Sequence, residues 1–267
     1  MSFDGNEFIF DGISSREFGL TLYSQFANAS QDETVFASNI KVSEDRPFRK
    51  YYSYCYGGSY EDSLEFTLVF GVDETRRALD QEYDRWEMQR IASWLTGHRQ
   101  YKWLQIIQDD LSRVRYHCMI SDLSCIEISG YHWGYQCKVI CDSPYGFLLP
   151  ETYHYDVSGS LDLTFKNRSS INDFYRPQMS IQMQSGDLSI INHADHDREF
   201  SLKGVPSSSG TIFVDHDLQI ISCEASINLY PYWNKRFLRL VPGENSITIS
   251  GNGSVDFLCS FPVNVGG

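Results

Sequence analysis

The sequence comprises 267 residues, of which 42% are apolar and 21% charged, and its formal net charge is −13. This length predicts two domains of roughly 120 to 150 residues, and units of that size bury enough surface to fold without disulfides or metals. No apolar stretch reaches the roughly 18 residues of a membrane-spanning helix, and no segment resembles a secretory signal, so we expect a soluble globular chain without a membrane partner.

The acidic excess extends over the whole sequence. Residues 1–150 carry 14 Lys and Arg against 22 Asp and Glu, and residues 151–267 carry 8 against 13. No basic stripe occurs, and sequence-independent binding to a phosphate backbone requires one. The composition therefore excludes nucleic-acid binding as an expected function, although an acidic surface could face DNA without holding it.

The cysteines do not predict a disulfide framework, because their number is odd and their spacing irregular. We expect small buried thiols in a chain that is made in a reducing compartment. The seven are Cys55, Cys118, Cys125, Cys137, Cys141, Cys223 and Cys259.

Short runs of alternating apolar and polar residues dominate the sequence. They are bounded by Gly, Asn, Asp, Ser or Pro, which is typical of half-buried antiparallel strands. The 17 Tyr and 17 Phe favour the same interpretation, since aromatic side chains pack well on a pleated sheet. The predicted strands cover residues 64–70, 114–120, 135–141, 161–165, 179–183 and 255–261, and Gly251-Asn252-Gly253 is predicted as a hairpin turn.

A charged stretch precedes the first of these alternating runs. Residues Lys41 to Lys50 predict either an ordinary loop or an exposed hairpin arm. In the second case Arg46, Phe48 and Arg49 are candidates for contact with a neighbouring subunit.

One segment shows the periodicity of a helix instead. From Asp73 to Gly97, apolar residues recur at the i, i+4, i+7 spacing of an amphipathic helix. Asp73 or Thr75 can cap its start, and Gly97 can end it. The sequence therefore predicts a mainly β fold with one helix in the first half.

The domain boundary is predicted from residues that interrupt strands. Pro144, Gly146 and Pro150 precede a polar stretch, and a new series of strands begins near Leu161. We place a linker around residues 145–158 and domains at 1–150 and 151–267.

No catalytic motif is found, so we predict neither an enzyme nor a cofactor. The adjacent carboxylates Glu61-Asp62 and Asp109-Asp110 point to opposite faces of an extended chain, so neither pair predicts a glycosidase site.

Two acidic, histidine-containing turns offer the best candidates for a metal site. Their ligand candidates are His193, Asp195, His196 and Asp217. Polar turns without metal contain the same residue types, because Asx side chains stabilise turns. We therefore predict no metal.

An aromatic cluster follows in the second half. Tyr230, Tyr232 and Trp233 are candidates for stacking on a sugar or for a protein interface. The third interpretation is packing within the domain, which is the most frequent role of such aromatic residues.

Several segments resemble those of one family. Residues 8–15 read FIFDGISS and match the pattern F-x-x-N/D-G-x-x-S, and residues 18–20 read FGL. In the first half, residues 91–95 (IASWL) and 141–145 (CDSPY) match further segments, and in the second half residues 237–247 (FLRLVPGENSI) match F-L-x-L-x-P-G-x-N-x-I. In order and spacing, these segments resemble the distal tail proteins of siphophages. The residues that carry the match are Phe10, Gly12, Ser15, Phe18, Gly19, Trp94, Leu95, Tyr101, Pro144, Tyr145, Pro242, Gly243 and Asn245.

The resemblance implies a structural role in a virion. Distal tail proteins have an N-terminal β-sandwich or split barrel with one helix, which forms a homohexameric ring, and a C-terminal galectin-like or carbohydrate-binding-module-like β-sandwich (a jelly roll). The resemblance also implies partners: the tail-tube protein, the tail-associated hub protein and, in some relatives, tape-measure, fibre or receptor-binding proteins. DNA would pass through the ring without specific binding. The alternative function is a carbohydrate-binding module that aids attachment to the host.

Overall fold

The computed structural model describes residues 5–22, 40–48, 50–60, 63–72, 83–108, 113–128 and 131–265. These residues are mainly β with a single α-helix, which confirms the predicted fold class. The chain divides into two compact units: one runs to Phe147 and takes in the last residues from Asn264, and the other is Leu148–Val263. No helix in the described ranges is long and apolar enough to cross a membrane.

The first unit is built on one large antiparallel sheet with the order β2-β1-β7-β8-β9-β6-β3. Its buried side chains alternate along the strands with half-exposed ones, as the period-2 pattern predicts. Among the described residues, two further strands pair only with each other, as a separate hairpin. The strands are β1 (Gly5–Phe10), β2 (Ile13–Ser14), β3 (Leu20–Leu22), β4 (Ile40–Asp45), β5 (Tyr54–Tyr60), β6 (Glu65–Val72), β7 (Lys102–Gln108), β8 (Val114–Ile128), β9 (Tyr131–Cys141) and β10 (Gly146–Leu148).

The helix, α1 (Arg85–Thr96), begins later than predicted. Asp84 caps it: its carboxylate accepts a hydrogen bond from the Glu87 N–H at 2.7 Å, and the Glu87 side chain accepts one from the Asp84 N–H at 3.0 Å. This reciprocal capping box satisfies two backbone donors at the helix start. The predicted caps Asp73 and Thr75 lie outside the described residues, whereas Gly97 does follow the last helical residue.

Trp94 of α1 holds the helix on the sheet. Its ring stacks on Phe8 at 5.6 Å and on Phe18 at 4.7 Å between centroids, and its indole N–H donates to the Phe10 carbonyl at 3.1 Å. Ser15, which is fully buried, accepts a hydrogen bond from the Phe8 N–H at 3.2 Å. The segments at residues 8–15, 18–20 and 91–95, which carry part of the family resemblance, therefore meet in the core of this unit.

The other motif residues of this unit lie in turns, in the core or at the surface. Gly12 and Gly19 both have positive φ, which glycine adopts without strain. Leu95 is buried, Tyr101 is 39% exposed, and Pro144 and Tyr145 are half-buried in the turn after β9.

The second unit contains a curled antiparallel sheet of the order β11-β16-β12-β14-β15, with β13 also paired to β12. Its core gathers inward residues from all of these strands, among them Ile181, Phe200, Val214 and Phe257. The strands are β11 (Glu151–Asn167), β12 (Gln178–Asn192), β13 (Arg198–Val205), β14 (Ile212–Asp215), β15 (Ile220–Cys223), β16 (Gly243–Cys259) and β17 (Pro262–Val263).

Two predictions about this unit are wrong. Residues 151–158, predicted as linker, form the first half of β11 and pair with residues 252–259. Their polar composition reflects a strand with one exposed face. The predicted hairpin turn at residues 251–253 lies inside β16, where a side chain on Gly253 would collide with the Gln182 carbonyl oxygen.

Asn245 closes the turn that leads into β16. Its side-chain oxygen accepts a hydrogen bond from the Val241 N–H at 2.8 Å, and its amide donates to the Val241 and Gly243 carbonyls at 3.0 and 3.1 Å. Asn192 donates to the same oxygen at 2.9 Å. Gly243 has a φ of +84°, so the Pro242-Gly243 turn needs glycine at this position.

Candidate interaction surfaces

The charged stretch predicted as a loop or arm is part of an exposed hairpin. Strands β4 and β5 with their connection (residues 40–48 and 50–60, called the arm below) form a two-stranded sheet of their own. Tyr51 and Tyr52 at its tip are 91% and 86% exposed, and Phe48 is equally exposed. Arg46 donates to the Tyr51 carbonyl at 3.4 Å, and Arg49 lies outside the described residues. The arm thus presents aromatic rings to its surroundings.

A groove of about 370 Å³ runs beside α1. Trp86, which is 75% exposed, borders it, and the Arg90 guanidinium lies 5.7 Å from the centroid of the Phe18 ring. Gln89 and Ser93 complete this helix groove. Trp86 is one of the apolar residues at the i, i+4, i+7 spacing from Asp73 to Gly97, and this spacing predicts a place on the apolar side of the helix.

Three of the four metal-ligand candidates contact side chains outside the candidate set: Asp195 and Asp217 contact arginines, and His193 contacts Asp197. The Asp195 carboxylate is buried and accepts two hydrogen bonds from Arg239, at 2.6 and 2.9 Å. His193 contacts Asp197 at 2.6 Å, and Asp217 lies 3.7 Å from the Arg176 guanidinium. His196 is exposed in a left-handed turn.

Within the described residues, no three His, Cys, Asp or Glu side chains converge in a way that could hold a metal ion. The arrangement is that of a polar turn. Asn192 caps the short helical turn of residues 193–195 and accepts a hydrogen bond from the Ala194 N–H.

The aromatic cluster does not form a flat three-ring platform. Trp233 is buried, packs against Phe237 at 4.5 Å and donates its indole N–H to the Arg236 carbonyl at 3.1 Å. Tyr232 packs on the same core, and only Tyr230 is exposed, standing perpendicular to the Trp233 ring. The two inner rings therefore serve packing within the unit.

Burial controls the ionisation of several core groups. Desolvation raises the pKa of the Cys137, Cys141 and Cys259 thiols to about 12, so these side chains remain protonated near neutral pH and are poor nucleophiles. Cys55 and Cys125 are exposed, in contrast to the expectation that the cysteines are buried. All seven are free thiols.

One surface of the second unit is not predicted by the sequence. The outward side chains of β11, β16, β12, β14 and β15 (the outer face) bring polar residues and Phe213 together. These residues lie up to about a hundred positions apart in the chain. Only the register of the strands, which periodicity alone cannot supply, makes them neighbours.

Two family models together match nearly the whole chain. Residues 3–143 match the family model described as phage tail protein N-terminal domain, and residues 145–259 match the one described as phage tail C-terminal domain. No curated protein is detectably similar in sequence.

Comparison with solved structures gives alignments to two phage proteins. The Dit protein (gp 19.1) of phage SPP1, described as a paradigm of the hub adsorption apparatus in phages that infect Gram-positive hosts, aligns with a TM-score of 0.63 at 11% identity over 96% of this chain and 98% of that protein. A chain of the phage P2 baseplate in its activated conformation with Ca aligns at 9% identity over 90% of both chains, with a TM-score of 0.48. Since the N-terminal family model alone covers more than half of the sequence, the protein belongs to this family of phage tail proteins.

Proposed function

We propose that this phage tail protein is a distal tail protein, which forms a hexameric ring, joins the tail tube to the tail-tip hub and lines the DNA channel. Its family membership and the likeness of its fold to the SPP1 Dit protein support this role. The role is structural and needs no catalysis. In this proposal residues 1–150 build the ring, and residues 151–267 form a galectin-like sandwich at its periphery.

The exposed arm is the feature that best supports a ring-forming contact between copies. A two-stranded hairpin buries too little surface to be stable by itself in water. The exposed rings of Tyr51, Tyr52 and Tyr56 are the residue type that anchors protein interfaces. We therefore assign the arm to a contact with a neighbouring copy, with Arg46 and Phe48 near its tip; Arg49, predicted for the same contact, lies outside the described residues.

The helix groove is a suitable receiving surface. A closed ring repeats one head-to-tail contact between two different patches of the same chain. The groove offers Trp86 and the Arg90 guanidinium, which can stack on tyrosine rings. Exposed Glu44 and Asp45 of the arm complement exposed Arg85 and Arg90 of the helix in charge.

The acidic composition suits a channel wall. At a net charge of −13, a surface without a basic stripe does not neutralise phosphates, so DNA can pass without being held. The partners in this role are the tail-tube protein on one ring face and the tail-associated hub protein on the other, with tape-measure and fibre or receptor-binding proteins as further contacts. The protein is made in the host cytoplasm and ends in the tail of the virion.

Negative-stain imaging of the chain mixed with the tail-tube protein of its own phage tests this role. We expect six-fold rings for the natural chain and for the control Tyr101→Ser, which changes an exposed tyrosine outside the arm. The double variant Tyr51→Ser/Tyr52→Ser should stay unassembled. A natural chain that forms no ring on the tube protein would refute the proposed function, whereas rings formed equally well by the double variant would refute only the assignment of the arm.

A photo-crosslinking amino acid at position 51 tests the receiving surface. Peptides of residues 83–97 from a second copy should be recovered in the crosslinked product by mass spectrometry. Crosslinks that map elsewhere on the neighbouring copy exclude the helix groove while leaving the ring intact.

A further inference from the structure

Two cysteines of the first unit lie directly opposite each other on neighbouring strands. Cys118 of β8 pairs in register with Cys141 of β9, so their side chains leave the sheet on the same face. Both are free thiols, and neither is more than 1% exposed. All seven cysteines lie within the described ranges, and the residues that pair with the other five are not cysteines.

The hydrogen bonds between the strands place this pair where opposite side chains come closest. The Asp142 N–H donates to the His117 carbonyl at 3.1 Å, so these two residues form a hydrogen-bonded pair. Because such pairs alternate along an antiparallel ladder, the next pair, Cys118 and Cys141, is a non-hydrogen-bonded one. The Cys141 N–H agrees with this assignment, since it points away from β8 and donates to the Leu64 carbonyl at 2.9 Å.

A non-hydrogen-bonded pair has the dimensions of a cross-strand disulfide. The two Cα atoms of such a pair are about 4.5 Å apart, and the two Cβ atoms are about as close. Disulfides span Cα distances of roughly 4.4–6.8 Å and Cβ distances of roughly 3.5–4.5 Å. The Cys118 and Cys141 sulfurs can therefore be joined without any change in the register of β8 and β9.

Burial and neighbouring charges keep both thiols protonated. Desolvation, with the nearby Asp142 and Glu65 carboxylates, raises the pKa of Cys141 to about 12. Desolvation also raises the pKa of Cys118, and the adjacent Cys141 thiol is the next cause of that rise, because the two groups are close together. Since the thiolate is the reactive form, oxidation near neutral pH is slow and requires a small uncharged oxidant that can enter the core.

We propose that Cys118 and Cys141 are a redox pair, reduced when the chain is made and joined by a cross-strand disulfide when the protein meets a peroxide. In the first step the Cys141 thiolate attacks one oxygen of hydrogen peroxide; the O–O bond breaks, hydroxide leaves, and Cys141 becomes a sulfenic acid. In the second step the Cys118 thiolate attacks the Cys141 sulfur, and the sulfenic oxygen leaves as hydroxide. The two thiol protons convert both hydroxides to water, so one peroxide is reduced and two thiols are oxidised.

The disulfide would join β8 to β9 at the end of β9. Cys141 is the final residue of that strand, and the turn that follows leads into β10, which also pairs with β8. The bond closes a loop of residues 118–141, and a closed loop lowers the conformational entropy of the unfolded chain, so the first unit becomes more stable. The passage from a reducing cytoplasm to an oxidising medium rests on the proposed function, whereas the pairing of the two thiols does not.

Mass spectrometry of peptides from the purified full-length chain, digested without reductant before and after treatment with hydrogen peroxide, tests the pair. The starting protein is the variant Cys55→Ser/Cys125→Ser, because both of these thiols are exposed and would otherwise crosslink different copies. The peroxide dose is one that fully oxidises Cys55 and Cys125 in the natural chain. We expect a disulfide between Cys118 and Cys141 that a thiol reductant cleaves, and a rise of several degrees in melting temperature on oxidation.

Cys137→Ala is the matched control for Cys141→Ala in this protein. Cys137 lies on the same face of β9 and burial raises its pKa to about 12 as well, but Leu68 lies opposite it. Oxidation should raise the melting temperature of Cys137→Ala and leave that of Cys141→Ala unchanged, each compared with its own reduced form so that the cost of the core substitution cancels.

Three results would overturn the proposal. They are Cys118 and Cys141 that both remain free thiols, a disulfide from either of them to Cys137, and an equal rise in melting temperature for Cys141→Ala. If Cys141→Ala does not fold, the peptide map of the starting protein decides between the outcomes by itself. Ring formation, judged separately by imaging, does not bear on any of these results.

Discussion

His216 should make the second unit sensitive to acid. Its imidazole is fully buried between the rings of Phe200 and Phe237, each at 5.5 Å, and its Nδ1 atom accepts a hydrogen bond from the Leu238 N–H at 3.1 Å. Because burial disfavours the charged form, the pKa of His216 falls from 6.5 to about 3. The folded chain therefore keeps this side chain neutral at pH values where the unfolded chain protonates it.

The size of the effect follows from the difference in pKa. Above pH 6.5 both states are neutral at this position, and the full stability is present. As the pH falls from 6.5 towards 3, only the unfolded state gains the proton, so the free energy of unfolding drops by about 1.4 kcal/mol per pH unit, or about 3 kcal/mol by pH 4.

Urea denaturation of the natural chain and of His216→Gln at several pH values isolates the contribution. Glutamine can accept the Leu238 hydrogen bond but does not titrate, so the variant should lose less stability between pH 6.5 and 4, by about 3 kcal/mol. His196→Gln, which changes an exposed histidine of the same unit, is the matched control and should follow the natural chain. Equal pH slopes for the natural chain and His216→Gln would refute the reasoning, as would an NMR titration of His216 in the folded chain with a midpoint near 6.5.

Three further predictions concern the packing of each unit. Asp195→Ala leaves the half-buried guanidinium of Arg239 without its bidentate partner, and urea denaturation should show a loss of about 2 kcal/mol. Trp94→Phe leaves the Phe10 carbonyl without its donor and should cost the first unit about 1 to 3 kcal/mol in the same assay, while Trp94→Ala should cost about 3 to 5 kcal/mol. Asn245→Ala removes the four hydrogen bonds that this fully buried side chain makes, and a fall in melting temperature of several degrees is expected in calorimetry; an unchanged value would show that water replaces the side chain.

Local periodicity predicted the elements that depend on neighbouring residues. The alternation at residues 64–70 and 135–141 corresponds to the paired strands β6 and β9, and the helical spacing that ends at Gly97 corresponds to α1. Both patterns report which side of one element is buried, and one element is enough to show it.

Periodicity does not predict a residue's role where that role depends on a distant strand. Glycines at positions 251 and 253 are typical of a turn, yet both residues lie inside β16. They are glycines because the neighbouring backbone of β12 leaves no room for side chains. Residues 151–158 are polar, yet they form a strand because one of its faces is exposed. The sequence of the aromatic cluster is compatible with an exposed or a buried Trp233. Its burial depends on where the core of the second unit lies, which local sequence does not determine.

The order of the strands in the second unit has a consequence for synthesis. β16 lies between β11 and β12, and it leaves the ribosome well after both. Until Gly243–Cys259 has emerged, these two long strands expose unpaired edges towards the missing strand, and such edges are prone to aggregation. A nascent chain stalled before Gly243 should therefore need protection by a chaperone, whereas release of the complete chain lets the sheet close around its central strand.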